Sequence, residues 1–317
     1  MRLSFYCVLE VGIEDPDEPK DPETPHFIPA YSQKVKASKE FQTFQFDHSF
    51  VLNSLKSSME GYVFHNQPLD TDDLLEQTVK LFNSCKTSLE LFDMLHNMRA
   101  YDDSTYAHSL NVALICRRIG KWLKVDAATL DTLTLCGLLH DIGKLKIPDE
   151  ILNKPGKYTD EEFDLVKRHT KFGYELLKTL NIDPHIKKAA LLHHERCDGS
   201  GYPLKATQKD LDDFSMVVAI ADVYDAMTAA RSYRAPLCPF QVIERFEQEG
   251  LQKYKPKFIL TFLQHIASTY QNNRVLLSNG QSANIVMLNQ QHLARPIVQL
   301  NDNSCIDLST RLDLHIQ

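Results

Sequence analysis

The sequence predicts an all-α domain with a small β appendage at the C-terminus and a poorly defined N-terminal segment. Three observations predict it. From about Asp72 to Tyr270, apolar residues recur three and four places apart between proline and glycine breaks, the period of helices that bury one face. After Asn272 the apolar runs shorten, and two of them flank Asn279-Gly280, a tight-turn pair. Before residue 70 neither period is sustained, and Glu14-Asp15-Pro16-Asp17-Glu18-Pro19 through Pro25 is acidic and proline-rich, which suits a solvated loop. The chain therefore divides into an N-terminal segment over 1–70, a helical domain over 71–271 and a β appendage over 272–317.

In chain order, Phe5 to Val11 reads as a strand. Asp72-Asp73 can cap a helix that turns Leu74, Leu75, Val79 and Phe82 inward, and Leu89, Leu91, Phe92, Leu95 and Met98 mark a second. Ser104 to Leu123 places Val112, Ile115, Ile119 and Trp122 on one face, with His108 one turn before Val112. Ala127 to Leu139 forms the next helix, strongly apolar at its end, and His140-Asp141 finishes it before Ile142-Gly143-Lys144 breaks to a loop with Pro148 and Pro155. Thr159 and Glu162 form a capping box, and the helix they start puts Phe163, Val166, His169 and Leu176 near one stripe. Pro184 opens a helix that runs through Ala189-Ala190-Leu191-Leu192 and delivers His193-His194. Phe214 to Ala229 carries Met216, Val217, Ile220 and Tyr224 on one side, with Asp222 inside the apolar run. Helices follow at Pro239 to Glu249 and Pro256 to Tyr270. Val275-Leu276-Leu277 and Asn284 to Met287 form a hairpin, and Ile297-Val298-Gln299 and Ile306-Asp307-Leu308 are short strands.

Composition narrows the partners. A chain of 317 residues with 43% hydrophobic content holds a sizeable core. It has no apolar run of about 18 residues, so no membrane span is expected, and its first residues turn acidic too soon for a secretory signal. Seven scattered cysteines without a Cys-x-x-Cys pair point to a reducing cytoplasm and away from a zinc–thiolate site. A net charge of −7 disfavours a DNA or RNA polymer as partner and leaves room for a small anion in a locally basic pocket.

The chemistry is concentrated in five of the 13 histidines, His108, His140, His169, His193 and His194, which fall in apolar helical surroundings. Asp141 and Asp222 sit in equally apolar runs, where a carboxylate is costly unless it is paired or bound to a cation. Five imidazoles and two carboxylates suffice for two metal ions with one carboxylate bridging, and the lack of thiolates favours iron or manganese over structural zinc. The glycines of Gly199-Ser200-Gly201 let backbone approach a ligand closely. His26, His48, His65, His96, His185, His265, His292 and His315 are read as ordinary structural or surface residues.

The motifs also carry a family resemblance. His140-Asp141 with Ile142-Gly143-Lys144 resembles the HD signature of metal-dependent phosphohydrolases. His193-His194-Glu195-x-x-Asp198-Gly199-x-Gly201-Tyr202-Pro203 resembles the second signature of the HD-GYP family letter for letter. Tyr106-Ala107-His108-Ser109, Pro148-x-x-Ile151-Leu152-Asn153-Lys154-Pro155-Gly156, Ala221-Asp222-x-x-Asp225-Ala226 and Arg231-Ser232-Tyr233-Arg234 are similar to the family's other blocks, in the family's order, over roughly residues 100–270.

What the resemblance implies is an all-α HD-type helical domain with phosphodiesterase activity, hydrolysing cyclic di-GMP to linear pGpG, GMP or both in bacterial signalling. By position, His108, His140, Asp141 and Asp222 would hold one divalent ion. Asp141, His169, His193 and His194 would hold the other, with Asp141 bridging. Relatives with a third metal carry Glu where this chain has Ser104, so two ions are expected. Lys144 would reach a non-bridging phosphate oxygen, Arg231 and Arg234 would hold the second phosphate by forked hydrogen bonds, and Tyr202 would contact a guanine or phosphate. Glu195 and Asp198 would orient histidines or the loop rather than bind metal. Lys255-Pro256 replaces the family's usual Asp-Pro and loses an N-cap worth about 1 kcal/mol. Two other readings stay open: a cyclic-dinucleotide effector that acts on a protein partner through the Gly201-Tyr202-Pro203 surface, and an HD hydrolase of another nucleotide. A homodimer is compatible with each.

Overall fold

The structure, a computed structural model, describes residues 35–98, 104–154, 156–229 and 237–317. The expected strand over Phe5 to Val11, the acidic proline-rich stretch and Arg231 and Arg234 lie outside the described residues.

Helix α1 (Lys39–His65) is the element the sequence did not reveal. Its buried side chains, Phe41, Phe44, Val51, Leu55 and Met59, follow a helical period and belong to the main core. Phe46, Phe50 and Phe64 are exposed on its other side, so aromatics surround the helix and blur the two-faced pattern that periodicity needs. Ser38 caps it by accepting a hydrogen bond from the Phe41 amide. The helix α2 (Thr71–Ser84) is capped by Asp70 rather than by Asp72-Asp73, because the Asp70 carboxylate accepts from the Asp73 amide; Leu74, Leu81 and Phe82 point inward. Helix α3 (Ser88–Met98) follows.

The centre of the domain is built by α4 (Thr105–Trp122), α5 (Ala127–Leu139), α9 (Pro184–Leu192) and α10 (Asp213–Thr228), which pack on one another. Each has a side-chain N-cap: Ser104 for α4, Asp126 for α5, Asp183 for α9 and Asp212 for α10. After α5 the chain tightens to a 3-10 turn over Ile142–Lys146 and then a single turn, α6 (Asp149–Leu152), where a loop was expected. The stretch from Thr159 starts with the predicted capping box but is two helices, α7 (Asp160–Lys167) and α8 (His169–Leu177), joined at Arg168. Of the expected stripe, Val166 and His169 are buried, while Phe163, on the same helix as Val166, is 44% exposed.

Helices α11 (Pro239–Glu249) and α12 (Pro256–Thr269) complete the helical layer. Lys255 at the start of α12 makes no side-chain cap and instead pairs with Asp213 at 2.5 Å. The C-terminal strands β1 (Arg274–Leu276), β2 (Ser282–Met287), β3 (Ile297–Leu300) and β4 (Cys305–Asp307) form an antiparallel meander in that order. Val275, Ala283, Ile285 and Val298 turn to the core side, and an Arg295–Glu244 ion pair at 2.8 Å ties the sheet to α11. Among the described residues no helix is long and apolar enough to cross a membrane, and Cys85, Cys116, Cys136, Cys197, Cys238 and Cys305 are free thiols.

A candidate metal centre

The histidines converge because helix ends converge. His108 stands in the first turn of α4, His140 caps α5, His169 opens α8, and His193 and His194 follow the end of α9. Asp222 comes from the middle of α10. Close packing of the 3-10 turn on α8 sets one of these distances: a Cβ on Gly143 would stand 2.0 Å from the His169 carbonyl oxygen, so only glycine brings Asp141 and His169 together this way.

Asp141 joins two groups of side chains. One comprises Asp141, His169, His193 and His194; the other comprises His108, His140 and Asp222, and within each group one ligand atom per residue lies within 4.8 Å of the rest. The two oxygens of Asp141 divide between them. Oδ1 faces His169 Nε2 at 3.3 Å and His193 Nε2 at 3.7 Å. Oδ2 faces His140 Nε2 at 3.3 Å and His108 Nε2 at 3.7 Å. Asp222 spans similarly, with Oδ1 at 3.1 Å from His108 Nε2 and Oδ2 at 3.7 Å from His194 Nδ1.

Four of the rings are held from behind. The Nδ1–H groups of His140, His169 and His193 donate to the carbonyls of Gly137, Val166 and Ala189, at 2.8, 2.6 and 2.9 Å. His108 Nδ1 donates to Asp225 Oδ2 at 2.8 Å. For His140, His169 and His193 a proton fixed on Nδ1 leaves the Nε2 lone pair free to face the centre, the arrangement metal-bound histidines adopt. Asp225 was quoted in a sequence block without a role. The signal was its spacing, since three residues after Asp222 it shares that residue's side of α10.

The electrostatics fit a cation. Burial, reinforced for His193 by its neighbour His140, pushes the His169 and His193 pKa values down from 6.5 to about 4 and about 3, and His194 falls well below its usual range for the same reason. These rings are neutral ligands at neutral pH. Burial also opposes protonation of His108, but hydrogen bonds to Asp222 and Asp225 outweigh it and raise the pKa to about 9. Burial works against ionising Asp141 and Asp222; His140 and Lys144 nevertheless hold the Asp141 carboxyl well below the usual range, and the His108 hydrogen bond with His194 does the same for Asp222. Two atoms at the heart of the cluster, His140 Nε2 and Asp141 Oδ1, are buried without a hydrogen-bond partner. Orphaned acceptors in so polar a core are satisfied by a bound cation. The residues present therefore fit a metal.

The cluster floors a cleft of about 630 Å³, a size suited to a small-molecule ligand. His108, His169, His194 and Asp222 open into it, as do Lys144, Tyr202 and an unforeseen cation, Arg196. Lys144 Nζ lies 2.5 Å from Asp141 Oδ2, one 3-10 turn away. Arg196 is anchored by donating to the His193 and Glu195 carbonyls, at 3.2 and 2.8 Å. The Tyr202 ring packs on His194 with centroids 4.7 Å apart.

Its loop is held by Glu195, which is fully buried and accepts from the Leu204 and Ala206 amides at 2.5 and 3.0 Å. The turn passes so close beneath that a Cβ on Gly201 would stand 2.4 Å from Glu195 Cα. Asp198 fastens the outer end, accepting from the Ser200 amide and hydroxyl at 2.9 and 2.6 Å. Both acids thus shape the loop rather than join the cluster.

A sequence model of the HD domain family matches residues 73–258, more than half of the chain. The chain belongs to the HD domain family. Its match spans every residue of the cluster, from His108 to Asp222. Among curated proteins, the HD domain chain is 34% identical to 3'3'-cGAMP-specific phosphodiesterase 2 of Vibrio cholerae, over 57% of this chain and 35% of that protein. It is 33% identical to a cyclic di-GMP phosphodiesterase of Pseudomonas aeruginosa, over 65% of this chain and 50% of that one. A cyclic di-GMP phosphodiesterase of Thermotoga maritima matches at 35%, over 55% of this chain and 48% of its own. The chain therefore spans half or less of the length of these relatives. An HDG"Y"P protein from Bdellovibrio bacteriovorus has the same fold, with a TM-score of 0.58 at 18% identity over 74% of each chain.

Proposed function

We propose that this chain is a metal-dependent phosphodiesterase that hydrolyses cyclic di-GMP, releasing linear pGpG, GMP or both. The observation that carries the reading is the divided Asp141 carboxylate, with Oδ1 facing one set of histidine nitrogens and Oδ2 another. In this reading His108, His140, Asp141 and Asp222 hold one divalent ion and Asp141, His169, His193 and His194 the second, both iron or manganese, since the donors are nitrogen and oxygen only. Two such ions, when bound, supply an activated water and offset the charge of the phosphodiester.

The chain's own residues do the rest. Glu195 and the hydrogen bonds behind the rings fix the walls before substrate arrives, so little reorganisation accompanies reaction. Lys144 stands over Asp141 with its ammonium on the cleft side, where it can move to a non-bridging phosphate oxygen. Tyr202, rigid against His194, offers a ring edge and hydroxyl to the substrate. Arg231 and Arg234 are assigned the uncleaved phosphate on the resemblance alone.

A second reading, hydrolysis of 3'3'-cGAMP, is favoured by the name of the V. cholerae relative. The deciding experiment is turnover of cyclic di-GMP by protein purified without oxygen and supplied with iron(II) or manganese(II). Release of pGpG or GMP that stops on chelation supports the proposal. Binding of the dinucleotide without any turnover, under either metal, would instead support the effector reading.

A further inference from the structure

The relatives' names differ in one base, guanine against adenine, and the cleft contains side chains that can tell the two apart. Among the described residues that line it, the carboxylates are Asp149 and Asp222. Asp222 is committed to His108 at 3.1 Å. Asp149 is not: it begins the single-turn helix α6 on the cleft rim and is solvent-exposed. One turn on, Asn153 also lines the cleft, joined to Asp149 by a backbone hydrogen bond of 2.9 Å.

Facing the same space is Tyr106, an aromatic ring fixed from outside by α1, since its hydroxyl donates to Glu60 Oε1 at 2.9 Å. Burial, with help from Glu60 and from the nearby Asp149 charge, pushes the Tyr106 hydroxyl pKa up, so the phenol stays a donor and the ring stays tethered. Among the described lining residues, no other uncommitted side chain offers two acceptor oxygens to a base edge that donates two protons. Lys144 and Arg196 are donors only, Ser104 Oγ is occupied with the Ala107 amide, and Tyr158 donates to the Leu152 carbonyl.

We infer that Tyr106, Asp149 and Asn153 form a purine subsite that selects guanine over adenine in the cyclic dinucleotide. A purine stacked on the Tyr106 face presents its edge to α6. Guanine offers two adjacent donors, N1–H and the N2 amino group, and a carboxylate accepts both. Adenine offers an N1 lone pair there, which a carboxylate repels. The Asn153 amide, which both donates and accepts, suits the guanine O6 or N7 acceptor. The ring stack is blind to base identity, so discrimination resides in Asp149.

This inference rests on the proposed reading that the cleft takes a cyclic dinucleotide, and the test separates the two. The metal-loaded protein and its Asp149→Asn variant are compared in kcat/KM for cyclic di-GMP and cyclic di-AMP, and in calorimetric binding of GMP and AMP, which needs no hydrolysis. An exposed Asp→Asn change at the start of a short helix leaves the fold intact, which circular dichroism checks. The expected result is a guanine preference in the native protein that falls about tenfold or more in the variant, by weaker guanine and stronger adenine recognition, because an amide can pair with the adenine edge. Hydrolysis with an unchanged guanine-to-adenine ratio in Asp149→Asn overturns the subsite and leaves the phosphodiesterase standing. A GMP preference lost in the variant, without hydrolysis of any dinucleotide, keeps the subsite and overturns the activity. Absence of both binding and hydrolysis overturns both.

Discussion

The Asp225 carboxylate lies 2.8 Å from His108 Nδ1, while the opposite nitrogen of the same ring faces Asp222 at 3.1 Å. Asp225 thereby orients a ring 117 residues away in sequence and adds negative charge behind it. Asp225→Asn keeps an acceptor but removes the charge. The expected outcome is a fall in metal affinity of about 10–100-fold with the fold retained, and Asp225→Ala is expected to lose more. Metal titration of the two variants checks this; native affinity in both would assign Asp225 to packing.

Lys144 is expected to act on substrate rather than on the cluster. Lys144→Ala should lower kcat about 10²–10³-fold with metal content unchanged. The 2.5 Å contact with Asp141 offers the competing outcome. If metal content changes and kcat per bound metal does not, the ammonium serves only to neutralise Asp141.

The buried histidines set an acid limit on the metal-free protein. His169 and His193 have folded pKa values of about 4 and about 3, below the ordinary 6.5, so the unfolded chain binds protons first as pH falls. Their stabilising contribution is complete above about pH 6.5 and is lost progressively as pH falls toward 4, by roughly 1 kcal/mol per pH unit for each ring. His108, raised to about 9, works in the opposite sense, and its contribution is already complete below pH 6.5, so it does not offset the loss. Thermal unfolding of metal-free protein between pH 7 and 4 should show a falling Tm. A flat profile would mean these rings are not buried as neutral groups.

Glu195→Gln should loosen the loop that carries Tyr202. A carboxylate accepts both the Leu204 and Ala206 amides, whereas an amide side chain accepts with one end and presents donors with the other. Loss of one buried hydrogen bond is expected to destabilise by about 1–3 kcal/mol. Hydrogen exchange at Leu204 and Ala206 should accelerate before the rest of the domain responds; uniform exchange would place the effect in the core instead.

Much of the helical domain was legible because its elements are punctuated by side chains with a local mechanism. Ser104, Thr159 and Pro184 mark helix starts by capping or by fixed backbone angles, and the structure begins α4, α7 and α9 at those places. The seven cluster residues were legible as polar groups in apolar runs, and the fold brings all seven together. Helix α1 was not legible, since exposed Phe46, Phe50 and Phe64 cancel the contrast between its faces. The break at Arg168 was also hidden, because Val166 and His169 keep helical spacing across it. Arg196 and Asp149 were missed for a different reason. A charged residue, on a loop like Arg196 or at the start of a single turn like Asp149, looks like solvated surface until the fold places it on a cleft.

The central claim is that Asp141 is shared by two metal ions that hydrolysis requires. The most direct measurement is metal content together with cyclic di-GMP turnover, on anaerobically prepared native protein and on the His140→Ala, Asp141→Ala double variant. The account predicts about two iron or manganese ions per native chain, turnover that follows their loading, and loss of both metal and turnover in the variant, with circular dichroism unchanged. Turnover near the native rate in a variant lacking both side chains would contradict it.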